Sequence, residues 1–135
     1  MKIVRSLAAT ALILVPTMGW AQDFDGTSPL LCASVDAMAC APGEACTQAT
    51  VEELNVPQFL RVDVAQKLVS TTRADGEQRT SEIQSLQLND GELIMQGTQG
   101  GLAWSAAIAR ASGKLSLSAV GDRVAFVIFG ACTAL

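Results

Sequence analysis

Histidine and tyrosine are both absent from the 135-residue sequence. Without histidine there is no base for a Ser–His or Cys–His catalytic pair, no mixed Cys/His zinc site and no Cys-x-x-Cys-His haem attachment. No Gly-x-Ser-x-Gly occurs either, so a serine nucleophile elbow is missing along with its base. Positive charge is scarce: nine Lys and Arg stand against thirteen Asp and Glu. That balance argues against nucleic acid and anionic membrane surfaces as partners, since both select a basic face. Beyond the first twenty residues no long apolar run appears, so the composition offers no transmembrane segment. No internal repeat or low-complexity tract is visible.

What the chain does have begins with MKIVRSLAATALILVPTMGWAQ. Lys2 and Arg5 precede an apolar run from Leu7 to Val15, followed by Pro16 and small residues at Gly19 and Ala21. The run is shorter than the roughly 20 residues of a spanning helix, and the pattern is that of a secretory signal cleaved after Ala21. Residues 1–21 are therefore expected to leave, and 22–135 to form one exported, soluble domain in the periplasm or outside the cell. Removing Lys2 and Arg5 leaves seven positive charges against thirteen negative, a net −6.

Export bears on the four cysteines. Their spacing, Cys32-x7-Cys40-x5-Cys46 and then Cys132, contains no Cys-x-x-Cys, so neither a zinc knuckle nor a thioredoxin-like redox pair is indicated. In an oxidising compartment such thiols pair. Four cysteines allow three pairings. The turn pair Pro42-Gly43 inside CAPGEAC folds the chain back between Cys40 and Cys46, which leaves Cys32 for Cys132. No cofactor and no metal are expected.

Period-two alternation dominates from Val56 onward, as in LQLN, LSLS and LAWSAAI, and calls for strands with one dry face. Turn signals punctuate it at short intervals: Asp75-Gly76, Asp90-Gly91, Gly100-Gly101, Ser112-Gly113 and Gly121-Asp122. Eight strands are expected near 29–35, 58–64, 67–73, 80–89, 91–98, 101–110, 113–120 and 123–131. The last, RVAFVIFGA, is apolar on both parities and is expected to be buried on both sides or covered by the N-terminal segment. Thr50 and Glu53 fit a capping box for a short helix ended by Pro57. The fold class is all-β: an antiparallel meander forming a small up-and-down barrel or strongly curled sheet, with one short helix and two disulfides.

Several stretches invite a functional reading. DFDG, Asp23 to Gly26, begins like a calcium loop but lacks the later ligands, and reads as a frayed mature terminus. The glycine-rich GTQGG lacks the Lys-Ser/Thr of a phosphate cradle and reads as a hairpin loop. Carboxylate pairs do acid–base work without histidine, so Glu52, Glu53, Asp63, Asp90 and Glu92 are candidates for a hydrolase. Arg61 and Asp63, two apart on one strand, read as a solvated ion pair. Trp104 shares the apolar parity of Leu102 and Ile108. With Phe59, Phe126 and Met95 it makes up the candidate lining of a ligand pocket in the barrel interior.

The stretches PQFLRVDVAQKLV, GLAWSAAI and the closing FGACT resemble short exported proteins of Gram-negative bacteria that carry no assigned activity. That resemblance implies a compartment and a fold without implying a reaction. In architecture alone the chain is also similar to small periplasmic barrels that hold an apolar ligand or block a hydrolase such as a lysozyme or protease; the lipocalin Gly-x-Trp near the first strand is missing.

The first functional expectation is thus a non-enzymatic module that binds an envelope protein through its stapled loop, with Pro42, Gly43, Glu44, Glu52 and Glu53 as contacts. The second is a carrier of a small apolar ligand in the barrel interior, and the third a histidine-free carboxylate hydrolase.

Overall fold

The computed structural model describes residues 23–135; the expected export signal, residues 1–21, lies outside the described residues. Ten strands and one helix follow in order. They are β1 (Leu30–Cys40), β2 (Thr47–Ala49), α1 (Val51–Leu54), β3 (Pro57–Asp63), β4 (Leu68–Arg73) and β5 (Gln78–Glu82), then β6 (Ser85–Leu88), β7 (Glu92–Gln99), β8 (Leu102–Ala109), β9 (Lys114–Gly121) and β10 (Val124–Ala134). Nine of the strands make one antiparallel sheet in the order β5-β4-β3-β1-β10-β9-β8-β7-β6, with β2 added beside β1. The two ends of that order, β5 and β6, are neighbours in sequence. The sheet therefore curls until its edges approach, as a half-barrel.

The run expected as one strand at 80–89 is split in two. Residues 78–82 pair with β4, whereas 85–88 pair with β7. At the break the Ile83 amide donates to the Lys67 carbonyl at 2.8 Å and the next amide, that of Gln84, donates to the Gln96 carbonyl at 2.9 Å. One segment thus serves both edges of the curl, which a straight strand cannot do. The first strand is longer than expected for a related reason. β1 lies at the centre, pairing β10 along its length, β3 with its first half and β2 with its second. A register shift between Ser34 and Asp36 divides those halves, and such bulges bend and twist a strand.

Both disulfides form as the spacing suggests, Cys32 with Cys132 and Cys40 with Cys46. Cys32 and Cys132 face each other directly across β1 and β10. The helix is a single turn. Thr50 Oγ1 accepts from the Glu53 amide, the Glu53 carboxylate accepts from the Thr50 amide, and Asn55 ends the turn in the left-handed region at φ 47°.

Alternation decides which side chains enter the core: Leu115 and Leu117 are buried while Ser116 and Ser118 are exposed, and Leu93, Met95, Ala106 and Ile108 follow the same rule. Between β7 and β8 the turn Gly100-Gly101 has positive φ at both residues, 58° and 81°, the requirement of a tight two-residue hairpin. Two expectations need correction. β10 is not covered on both sides: Ile128 is buried, but Phe129 on the opposite face is exposed, because the curl gives the sheet only one interior. Nor is the segment at Asp23 frayed. Phe24 is buried, its amide donates to the Arg110 carbonyl, and Asp23 forms a forked ion pair with Arg110 at 2.7 and 3.1 Å. The Phe24 ring lies so close to Gly113 that a Cβ there would sit 2.7 Å from it.

Candidate functional site

The interior of the curl has two different ends. One, where Arg110–Gly113 joins β8 to β9, is closed by the Phe24 ring. The other carries the β4–β5, β7–β8 and β9–β10 turns together with the end of α1, and here a cavity of about 180 Å³ opens. Its deeper wall is apolar, with Leu60, Met95, Leu115, Ile128 and Cys32. Leu117 lies level with Ile128 and Met95, Trp104 and Phe126 line it nearer the mouth, and Asn55, Arg73, Arg79, Gln99 and Leu102 also contribute to the lining.

Space remains because several inward positions hold small residues. Ala119 lies opposite Trp104 and Ala106 opposite Leu117. An eight-stranded barrel is about the size that side chains alone fill; alanine at these two positions withholds the volume. Gly97, opposite Trp104 on β7, serves the aromatic ring instead, since a Cβ there would stand 2.5 Å from the indole. The indole Nε1 donates to Ser81 Oγ at 2.9 Å, and Ser81 Oγ donates to the Thr98 carbonyl at 3.0 Å. That chain ties β8, β5 and β7 together across the seam where the backbone ladder is interrupted. It also satisfies the one polar atom of an otherwise apolar side chain.

A polar network holds the rim. Arg73 Nε donates to the Asn55 carbonyl at 2.9 Å and Nη1 to Glu77 at 3.3 Å, while Arg79 grips the same Glu77 carboxylate through Nε and Nη2 at 2.9 and 3.1 Å. Asp75 accepts from the Glu77 amide and from Asn55 Nδ2, and these bonds, the amide's foremost, hold its carboxyl below the ordinary aspartate value of 3.8. A depressed folded-state value contributes stability above the unfolded one and loses it as pH falls through the folded value. The stability difference between wild type and Asp75→Asn is therefore expected to be full above about pH 4 and to vanish on further acidification. Urea unfolding of both proteins across that range checks it; a difference that grows toward low pH contradicts it. Asn55 Oδ1 is buried beside the cavity with no hydrogen-bond partner among the described residues.

Of the four residues expected to line a pocket, Trp104, Phe126 and Met95 meet in this cavity. Phe59 does not. On β3 the inward positions are Leu60 and Val62, so Phe59 falls on the outer face and is 42% exposed. Sequence reading missed Arg73 and Arg79; they flank the Asp75-Gly76 turn signal, and a strand-pairing register would have been needed to place them at the cavity. In the stapled loop Pro42, Gly43 and Glu44 are exposed, as are Glu52 and Glu53 on α1. A shallow, open hollow beside α1 brings Glu52 and Glu53 near Asp36 and Thr50.

None of the candidate acid–base carboxylates lines the cavity. Glu53 closes the capping box, and Asp63 accepts from the Gln66 amide at 3.0 Å instead of pairing with the exposed Arg61. Among the described residues the ion pairs are Arg73–Glu77, Arg79–Glu77 and Arg110–Asp23. No three His, Cys, Asp or Glu side chains converge on a cation position among the described residues, and no helix there is long and apolar enough to cross a membrane. Comparison with family models, characterised proteins and solved structures returns no match.

Proposed function

We propose that this chain is an exported, non-enzymatic carrier that holds a small, largely apolar molecule inside its curled sheet. The observation that carries the reading is the 180 Å³ cavity between Trp104, Phe126 and Met95, open at one end and plugged by Phe24 at the other. An apolar cavity of about 150 Å³ in another protein stays dry and takes up benzene, so this one suits a short hydrocarbon chain or a single ring. The pairing of all four cysteines supports an oxidising compartment.

Ala119→Leu tests the reading, because the added carbons occupy the space between Trp104 and Phe126. Native mass spectrometry of the exported wild-type protein is expected to find a small-molecule adduct, or uptake of added octan-1-ol; Ala119→Leu is expected to lose both while keeping both disulfides and its sheet signal. A wild-type protein that holds neither a copurified molecule nor octan-1-ol overturns the proposal.

A second reading, an interaction module for an envelope protein, draws on the exposed loop at Pro42–Glu44. That loop is braced by Cys40–Cys46 and by the pairing of β2 with β1. Rigid presentation of this kind lowers the entropic cost of docking.

A further inference from the structure

The charges that line the cavity are of one sign. Arg73 and Arg79 contribute to its wall and no carboxylate does, in a chain whose overall balance is acidic. Glu77, on the β4–β5 turn, fixes both guanidinium groups, Asp75 accepts from the Glu77 amide behind it, and neither carboxylate lines the cavity. Glu77 takes one edge of Arg79 and one nitrogen of Arg73, and the Asn55 carbonyl takes Arg73 Nε. That leaves Arg79 Nη1 and Arg73 Nη2 without a protein partner among the described residues. Arg79 Nη1 lies over Gly100, 3.3 Å from where a Cβ would stand, so the glycine turn leaves room around it. The two guanidinium groups are therefore pre-positioned donors beside an apolar cavity.

Resting on the carrier reading above, we infer that the ligand is an amphiphile with an anionic head, a carboxylate or a phosphate. The head lies against Arg79 and Arg73, and a tail of about seven or eight carbons runs past Trp104 and Phe126 toward Met95. The tail length follows from the volume, a little more than the ~150 Å³ that accommodates benzene. The head-group choice follows from chemistry. Free guanidinium N–H donors match oxyanions. A neutral hydroxyl gains less from them, and an ammonium head is repelled. Because Glu77 already holds one face of each arginine, little side-chain freedom is lost when the oxyanion arrives.

The test is calorimetric titration of the protein at neutral pH with octanoate, octan-1-ol and octylammonium, which share a tail and differ in charge. Octanoate is expected to bind roughly tenfold more tightly than octan-1-ol, a charge-assisted contact discounted for its solvent-exposed position, and octylammonium most weakly. Arg79→Gln should weaken octanoate severalfold and octan-1-ol by less, which narrows the ratio between them; octyl phosphate in parallel separates a phosphate preference from a carboxylate one. Should Arg79→Gln not fold, salt replaces it: octanoate affinity in the wild type should fall with ionic strength while that of octan-1-ol does not. Equal affinity for octanoate and octan-1-ol, or tighter octylammonium, overturns the head-group inference and leaves the cavity reading intact. No binding of any of the compounds overturns both.

Discussion

Replacing Cys32 and Cys132 together with alanine is expected to lower the unfolding free energy by about 4–5 kcal/mol, against about 2 kcal/mol for Cys40 and Cys46. The difference lies in the loops that the two bonds close, with sequence separations of 100 and 6. Cross-linking the longer loop removes more freedom from the unfolded chain. In the folded state Cys32 is fully buried and directly opposite Cys132, joining the central strand β1 to the last strand β10. Its loss also leaves two sulfur-sized gaps beside the cavity wall, which adds to the cost. For a chain of this size 4–5 kcal/mol is a large share of the total, so the variant is expected to be partly unfolded at 37 °C. Urea unfolding of the wild type and both double variants measures the order directly. Equal losses, or a greater loss from Cys40 and Cys46, contradict it.

The parts of this fold that follow local rules were legible in the sequence. Strict alternation in KLSLSAVG and LAWSAAIA placed Leu115, Leu117, Ala106 and Ile108 inward. Gly100-Gly101 could do little but turn a hairpin, and CAPGEAC announced its own disulfide. Thr50 and Glu53 announced the helix start. What escaped was set by closure of the whole sheet. The break at Ile83–Gln84 has no glycine or proline to mark it, because it arises where one strand must leave β4 and join β7. Phe59 is as apolar as Leu60, and only the register against β1, Ala33 opposite Phe59 and Cys32 opposite Leu60, decides which of them enters. Phe24 read as part of a polar, frayed end because its partner surface, Gly113 with Arg110, lies nearly ninety residues away.

The cavity itself was foreseeable only in part. Trp104 carried the parity of an interior wall, while Phe126 stood in a strand apolar on both parities and Met95 was named for its apolar side chain alone. The free volume, by contrast, depends on Ala106 and Ala119 standing opposite Leu117 and Trp104, and cross-strand opposition is not written in a single segment. The arginines show the same limit: Arg73 and Arg79 flank a turn and read as ordinary solvated charges until pairing of Thr72 with Gln78 sets both beside the mouth.

Met95→Ala separates stability from capacity. Met95 is 1% exposed and lines the cavity. Truncating it in the empty protein is expected to cost about 2–5 kcal/mol, as lost transfer energy plus the void left when the surrounding strands cannot collapse. Collapse is hindered here because β7 is held in register on both sides, by β6 and by β8. The same truncation lengthens the space available to a tail. If the cavity is a binding site, a longer chain then fills what methionine vacated, and decanoate should gain affinity over octanoate in the variant relative to the wild type. Binding to the folded state alone raises stability by about 2.7 kcal/mol at a ligand concentration one hundred times Kd, so decanoate should restore much of the loss while octanoate restores less. Thermal unfolding of both proteins, with and without each fatty acid, gives the four comparisons. A variant destabilised as expected but rescued equally by both chains places the binding somewhere other than beside Met95. One left near wild-type stability means that the core closes over the gap.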